Sequence, residues 1–265
     1  MTHNKKSWVV LLLFISLLFL GKTEGASAQK KETYSDFIVK PYIQLGNNPE
    51  IKENDNLEVL WLSKDPGKNW KFYCREKEGK NWQVQPIQSR LQGRYDNKDY
   101  FLHIAPVKGI KAGSQFEYKL EFANRETFNS HGMMRKSASQ PYTFAVFGDV
   151  GAGSSGQKKN VFRCYMEKPD FYLIPGDIVY DRGRVSEYLN RFFPILNADE
   201  TEKDKGAPLL RSTLTLTAIG NHDMALSNNW SGVDFSKYPD ALGYYLFWSQ
   251  PLNGPQKLIN SKNTT

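Results

Sequence analysis

Apolar and polar positions alternate with a period of two along the first half of the chain. Leu57, Val59 and Trp61 are interleaved with Glu58 and Leu60, and Trp70, Phe72 and Cys74 with Lys71 and Tyr73. Phe116, Tyr118, Leu120 and Phe122 are interleaved with Glu117, Lys119 and Glu121. Successive strand side chains point to opposite faces, so this alternation predicts strands with one face in a core and the other in water. The turn-forming segments Gly46-Asn47-Asn48-Pro49, Asp65-Pro66-Gly67 and Ala112-Gly113 recur between the runs. Together they predict an antiparallel sandwich over residues 39–122. Residues 129–140, closed by Pro141, read as a polar linker that includes His131, and His103 reads as a sheet residue in a strand over 100–104.

Beyond Pro141 the period changes. Residues 143–147 form a nearly continuous apolar run, 158–167 a helix with Val161, Phe162, Tyr165 and Met166 on one side, and Phe171–Ile174 a second apolar run. Val185, Tyr188, Leu189, Phe192, Phe193 and Leu196 then fall on one face of a 3.6-residue period, which predicts an amphipathic helix. Residues 197–212 read as an exposed loop with a charged centre, and 214–219 as a third strand. The resulting βαβαβ order implies a parallel sheet with crossover helices. Runs apolar on both faces, such as Phe144-Ala145-Val146-Phe147, predict a sheet covered on each side.

The N-terminus adds a different signal. A cationic start at His3-Asn4-Lys5-Lys6, an apolar stretch over 8–20 and the small-residue pattern Ala26-Ser27-Ala28 read as a secretory signal peptide over residues 1–28. The apolar stretch is short of the roughly 20 residues that span a bilayer, so no stable membrane anchor is expected after cleavage. The formal charge of +7 falls once Lys5, Lys6 and Lys22 are removed with Glu24. The remaining lysines and arginines are dispersed among acidic residues, so no nucleic-acid face is expected. The chain is thus expected to be secreted or periplasmic. Its only cysteines, Cys74 and Cys164, are expected to be buried thiols acting as small hydrophobes.

Three loops follow the three predicted strands: Gly148-Asp149-Val150-Gly151, Gly176-Asp177-Ile178-Val179-Tyr180 and Gly220-Asn221-His222-Asp223. Ligands of open α/β sheets collect at the carboxyl ends of the strands, so Asp149, Asp177 and Asn221 are expected to share one crevice. A lone Gly-Asp after a strand is usually a turn; three such loops in one sheet, with a tyrosine three residues beyond the second aspartate, point to ligands. Carboxylate, amide carbonyl and phenolate oxygens suit hard or borderline cations. A tyrosine has a pKa of about 10, so it ligates near neutral pH only on a strongly acidifying ion, which argues for Fe(III) beside Tyr180. Two neighbouring ions would lower the pKa of a bound water and clamp both oxygens of an in-line displacement at phosphorus. Asp223 fits either a helix cap or an acceptor behind the ligands.

In this order the GDxG, GDxxY and GNHD segments resemble the purple acid phosphatases of the calcineurin-like metallophosphoesterase superfamily. The resemblance covers residues 39–250, with its diagnostic part in 143–223. It implies a fibronectin type III-like all-β sandwich over 33–138, followed over 141–265 by the first half of an α/β/β/α metallophosphoesterase domain. It further implies that Asp149 and Tyr180 hold Fe(III), Asp177 bridges, and Asn221 binds a divalent ion (Fe, Zn or Mn). His222 would contact the phosphate or protonate the leaving group of a phosphate monoester substrate. The family also uses histidines from later motifs, and no histidine follows His222. The chain therefore reads as truncated before those motifs, with a doubtful activity of its own and apolar residues over 240–255 made to pack on something absent. Two alternatives stay open: a secreted binding module carrying an inert phosphoesterase remnant, or another metallophosphoesterase such as a nucleotidase or phosphodiesterase.

Overall fold

The computed structural model places Ser35–Thr265 in one compact unit. It describes residues 36–50, 57–95, 98–227 and 230–253, all in that unit. The signal-peptide reading of residues 1–28 lies outside the described residues. Among the described residues no helix is long and apolar enough to cross a membrane.

Eight antiparallel strands come first: β1 (Val39–Gln44), β2 (Leu57–Ser63), β3 (Trp70–Glu76), β4 (Gln83–Gln85), β5 (Gln88–Tyr95), β6 (Lys98–Val107), β7 (Gln115–Phe122) and β8 (Arg125–Met133). They form two four-stranded sheets, ordered β1-β2-β6-β5 and β4-β3-β7-β8. Their inner faces meet in a core of Leu57, Val59 and Trp61 against Phe72, Phe116 and Tyr118, as expected of a β-sandwich. Trp61 stacks on Phe72 with centroids 6.3 Å apart. Both cysteines are buried free thiols.

Two readings of this half are corrected. Residues 125–133 are strand β8, so His131 lies in a sheet and not in a linker. The segment escapes the alternation rule because β8 is the outermost strand of its sheet, paired only with β7, and carries polar residues on its exposed side. Strand β2 also fails to present one face to water. Leu60 and Leu62 are fully covered on its outer side by a second core.

That second core belongs to the α/β layer. Strands β9 (Phe144–Val146), β10 (Phe171–Ile174) and β11 (Leu214–Thr217) form a parallel sheet ordered β11-β10-β9. Helix α1 (Ser155–Met166) connects β9 to β10 and starts on Ser154, whose side chain accepts from Gln157 N. The predicted amphipathic helix is continuous over Val185–Glu187, Tyr188–Phe192 and Phe193–Leu196 (α2), with a π-helical middle. The segment read as an exposed loop over 197–212 is exposed only in part. It ends in a short helix, α3 (Leu209–Ser212), and buries Ala207, Leu209, Leu210 and Arg211. Arg211 is drawn in because its guanidinium donates to Asn197 and its carbonyl accepts from Tyr118 Oη at 2.8 Å.

Tyr42, Leu60, Leu62 and Leu102 of the sandwich share one core with Val161, Tyr172, Tyr188, Phe192 and Phe193. The apolar residues over 240–255, expected to pack on something absent, instead pack in large part inside the unit, with Tyr244, Leu246, Phe247 and Trp248 on its second core. A short helix, α4 (Tyr244–Phe247), buries Phe247 against Tyr188 and Phe193, and Tyr42 Oη donates to the Phe247 carbonyl at 2.7 Å. The parallel sheet is not covered on both sides as its composition predicted. Phe144 and Val146 are 54% and 49% exposed, because β9 is an edge strand whose outer face has no layer over it among the described residues.

Candidate metal centre

The parallel register of β9, β10 and β11 brings their carboxyl ends to one edge, and the three loops of interest leave from that edge. Because β10 is central, Asp177 sits between the loops of Asp149 and Asn221. Asp149 and Asp177 both adopt left-handed backbone, with φ of 55° and 51°. That region is costly for residues with a Cβ, and aspartate is among the few that tolerate it. The surrounding contacts hold both in place. Asp149 N donates to Gly176 O at 3.5 Å and Val150 N to Asp177 O at 3.3 Å, tying the first loop to the second.

Two glycines make this closeness possible. A Cβ on Gly151 would lie 2.1 Å from Ile178 O, and one on Gly220 would lie 2.2 Å from Asp177 Oδ1. Any side chain at either position would push the loops apart.

Tyr180 Oη donates to Asp149 Oδ1 and lies 3.4 Å from Asp177 Oδ2. Three oxygens from two loops therefore converge on one point. Burial and the two neighbouring carboxylates push the Tyr180 phenol up from its ordinary range, so it keeps its proton at neutral pH. Neither Asp149 nor Asp177 has an ion-pair partner among the described residues. A hard cation fits this set: it would neutralise the paired carboxylates and replace the proton that the phenol now donates. Among the described residues no group of three or more His, Cys, Asp or Glu is placed to hold a metal; the donors here are two aspartates and a tyrosine.

His222 N donates to Asp177 Oδ1 at 3.1 Å, and the imidazole packs on the Tyr180 ring with centroids 4.4 Å apart. Its Nδ1 lies 3.0 Å from Asp181 O. A carbonyl only accepts, so Nδ1 carries the hydrogen and Nε2 is the basic nitrogen of the neutral ring. Asn221 lies on the third loop at the same edge. Its side chain is exposed and makes no hydrogen bond among the described residues, so the structure aligns its loop with those of Asp149 and Asp177 without bringing its amide onto their carboxylates.

The sequence left Asp223 open, and its role is structural. The carboxylate is fully buried and accepts from Ile178 N at 3.1 Å, Val179 N at 3.3 Å and Gly220 N at 2.9 Å. Burial raises its pKa, against the lowering effect of these three amides. Asp223 thus pins the second loop to the third. Glu187 and Arg191 were not anticipated at all. Glu187 accepts from the backbone N–H of Asp181, Arg182 and Arg184, and Arg191 donates to the Tyr180 carbonyl at 2.7 Å. The only signal for Glu187 was its place three residues after Arg184, at the start of a helix, where a carboxylate can cap orphan amides. No local pattern marks Arg191.

Residues 142–262 match the family model described as calcineurin-like phosphoesterase (Metallophos), a span that contains all three loops. Among solved structures, a structure of PhoD is similar at 11% identity and a TM-score of 0.44, over 73% of this chain and 40% of that one. A crystal structure of amylomaltase from Corynebacterium glutamicum is similar at 13% identity and a TM-score of 0.24, over 52% of this chain and 22% of that one. The chain thus spans less than half the length of either. No curated protein matches it.

Proposed function

We propose that the calcineurin-like phosphoesterase domain of residues 142–262 is a phosphate monoesterase of the purple acid phosphatase type. In this reading Asp149 and Tyr180 hold Fe(III), Asp177 is shared with a divalent ion (Fe, Zn or Mn), and Asn221 contributes its amide oxygen to that second ion. When bound, such a pair supplies Lewis-acid polarisation of the phosphoryl group and a nucleophile at neutral pH. The observation that carries the reading is Tyr180, whose phenol reaches the same point as the two carboxylates. Metal-dependent phosphoester hydrolysis in general needs the carboxylates; the phenol is what favours the ferric, monoester-cleaving type.

Each protein group has a task within this reading. Tyr180, which now donates to Asp149 Oδ1, would give up that proton to solvent only when an ion is held. His222, oriented through Nδ1 by the Asp181 carbonyl, uses Nε2 to hold and deliver a proton at the leaving-group oxygen. Asp223, Glu187 and the close approaches at Gly151 and Gly220 hold the loops in register. Among the described residues three protein oxygens would serve the first ion and two the second, so the first should be retained more firmly. The leader-like residues 1–28 support a secreted or periplasmic setting, and the sandwich fits a fibronectin type III-like domain over 33–138 ahead of the catalytic one over 141–265.

The test is iron loading of the full chain. A visible tyrosinate-to-iron absorption band should appear. Tyr180→Phe should lose the band while keeping iron, and Asp177→Ala should lose both. A chain that binds iron without the band is not of the purple type, and comparison of an aryl phosphate monoester with the matching diester then identifies the alternative phosphoesterase.

A further inference from the structure

At the amino end of the parallel sheet, opposite the metal-binding edge, the last turn of α1 stands off β7 and β8. A cleft of about 410 Å³ lies between them, bordered by Asp170 and Thr213, which directly precede β10 and β11. Helix α1 starts beside the Asp149 loop and its twelve residues span about 18 Å, so this cleft is remote from the carboxylate cluster.

The cleft has an apolar part and a polar part. Tyr165, Met166 and Pro169 supply the apolar part, and Met166 is 53% exposed. The polar part contains both signs of charge, and its hydrogen bonds show which is already satisfied. Glu117 is paired with Arg75 at 2.7 Å. Asp170 is paired with Lys136 at 2.7 Å and accepts from Thr143 N at 2.8 Å. Neither Arg75 nor Lys136 lines the cleft, so its carboxylates are neutralised from outside. Its bases are not. The Lys77 ammonium donates only to the neutral amide of Gln115, at 2.8 Å. The side chains of His131 and Lys168 make no hydrogen bond or ion pair among the described residues. Two unspent ammonium groups, and the His131 imidazole that burial and Lys77 hold below its ordinary pKa, therefore face a short apolar wall.

We propose that this cleft is a second ligand site, which takes a small organic anion: an oxyanion head on Lys77, His131 and Lys168, with an apolar body on Tyr165, Met166 and Pro169. The site is independent of the phosphoester chemistry and does not require a metal. Charge-assisted hydrogen bonds to the oxyanion provide most of the binding, and the apolar wall selects against the bare inorganic ion.

Phenylphosphonate is a suitable probe, because it has the head and an aryl body but no ester bond to cleave. Titrated into the full chain, it should bind saturably and move the imidazole resonances of His131, assigned with His131→Gln. The double variant Lys77→Gln/Lys168→Gln changes only exposed side chains and should weaken binding by about tenfold. Asp177→Asn should bind as the wild type does. Inorganic phosphate should bind more weakly than phenylphosphonate. The proposal is overturned by absent saturable binding, by equal affinity for inorganic phosphate, or by binding that is lost in Asp177→Asn and kept in the lysine variant. The last result would assign the anion to the phosphoester centre.

Discussion

Three backbone N–H groups converge on the buried carboxylate of Asp223, and through them one side chain holds together two of the loops at the carboxyl edge of the sheet. Asp223→Asn keeps the size but replaces one acceptor with a donor. A buried amide hydrogen then faces an N–H group, at a cost of about 1–3 kcal/mol. Urea denaturation should show a loss of that size, accompanied by weaker iron uptake; unchanged uptake would mean that the loops hold their register without it. His103 provides a pH-dependent case. It is fully buried between Ser63 Oγ on Nε2 and Ser89 Oγ on Nδ1, each at 2.8 Å, and burial pushes its pKa down to about 4. A lowered folded-state pKa means that the neutral ring is the stable one. Its contribution is complete above the unfolded value of about 6.5 and is lost as pH falls toward 4, to a limit of about 3 kcal/mol. The difference in stability between wild type and His103→Gln should therefore shrink between pH 7 and pH 4.

At the scale of elements, the sheet edge works because two loops pack closer than side chains allow. Gly151→Ala places a methyl group 2.1 Å from Ile178 O, a backbone atom that cannot rotate away. The first loop must move off the second, at a cost of about 1–3 kcal/mol. Because Asp149 moves with it, the tyrosinate band of the iron-loaded chain should shift or fade. A spectrum identical to wild type would show that the loop can yield without moving Asp149. The register of β10 shows how far pattern reading reaches: Phe171–Ile174 is strand as predicted, because an apolar run bounded by Asp170 and Pro175-Gly176 leaves little choice. Strand β8 shows where it stops. An edge strand buries one side only and is stabilised by hydrogen bonds to β7, which leave no mark in hydropathy.

On the scale of the whole molecule, the sandwich and the α/β layer share a core, with the outer faces of β1, β2 and β6 packed on α2 and α4. Phe247 sits at its centre, between Tyr188 at 4.9 Å and Phe193 at 5.1 Å. Phe247→Ala should cost about 3–5 kcal/mol. The loss should appear in a single urea transition, seen alike by the tryptophan fluorescence of Trp61 and Trp70 and by helical circular dichroism. Two separate transitions, with only the helical one displaced, would show that the layers fold independently.

The sequence by itself determined the alternating strands of the sandwich core, the three strands and two helices of the parallel layer, and that Asp149, Asp177 and Asn221 each follow one of those three strands, because strand alternation and a glycine step after an apolar run are local signals. It also put His222 on the third of these loops, though not the tautomer imposed by the Asp181 carbonyl. Only the tertiary structure decided that Tyr180 meets Asp149 more closely than Asp177, that Asp223 and Glu187 hold the loops from behind, and that β2 is covered on both faces. It also decided that the cleft by His131 keeps Lys77 and Lys168 without a carboxylate partner while Glu117 and Asp170 are neutralised. Each of these depends on which distant residue supplies a donor, a charge or a covering surface, and hydropathy records only that a side chain avoids water, not which partner it finds.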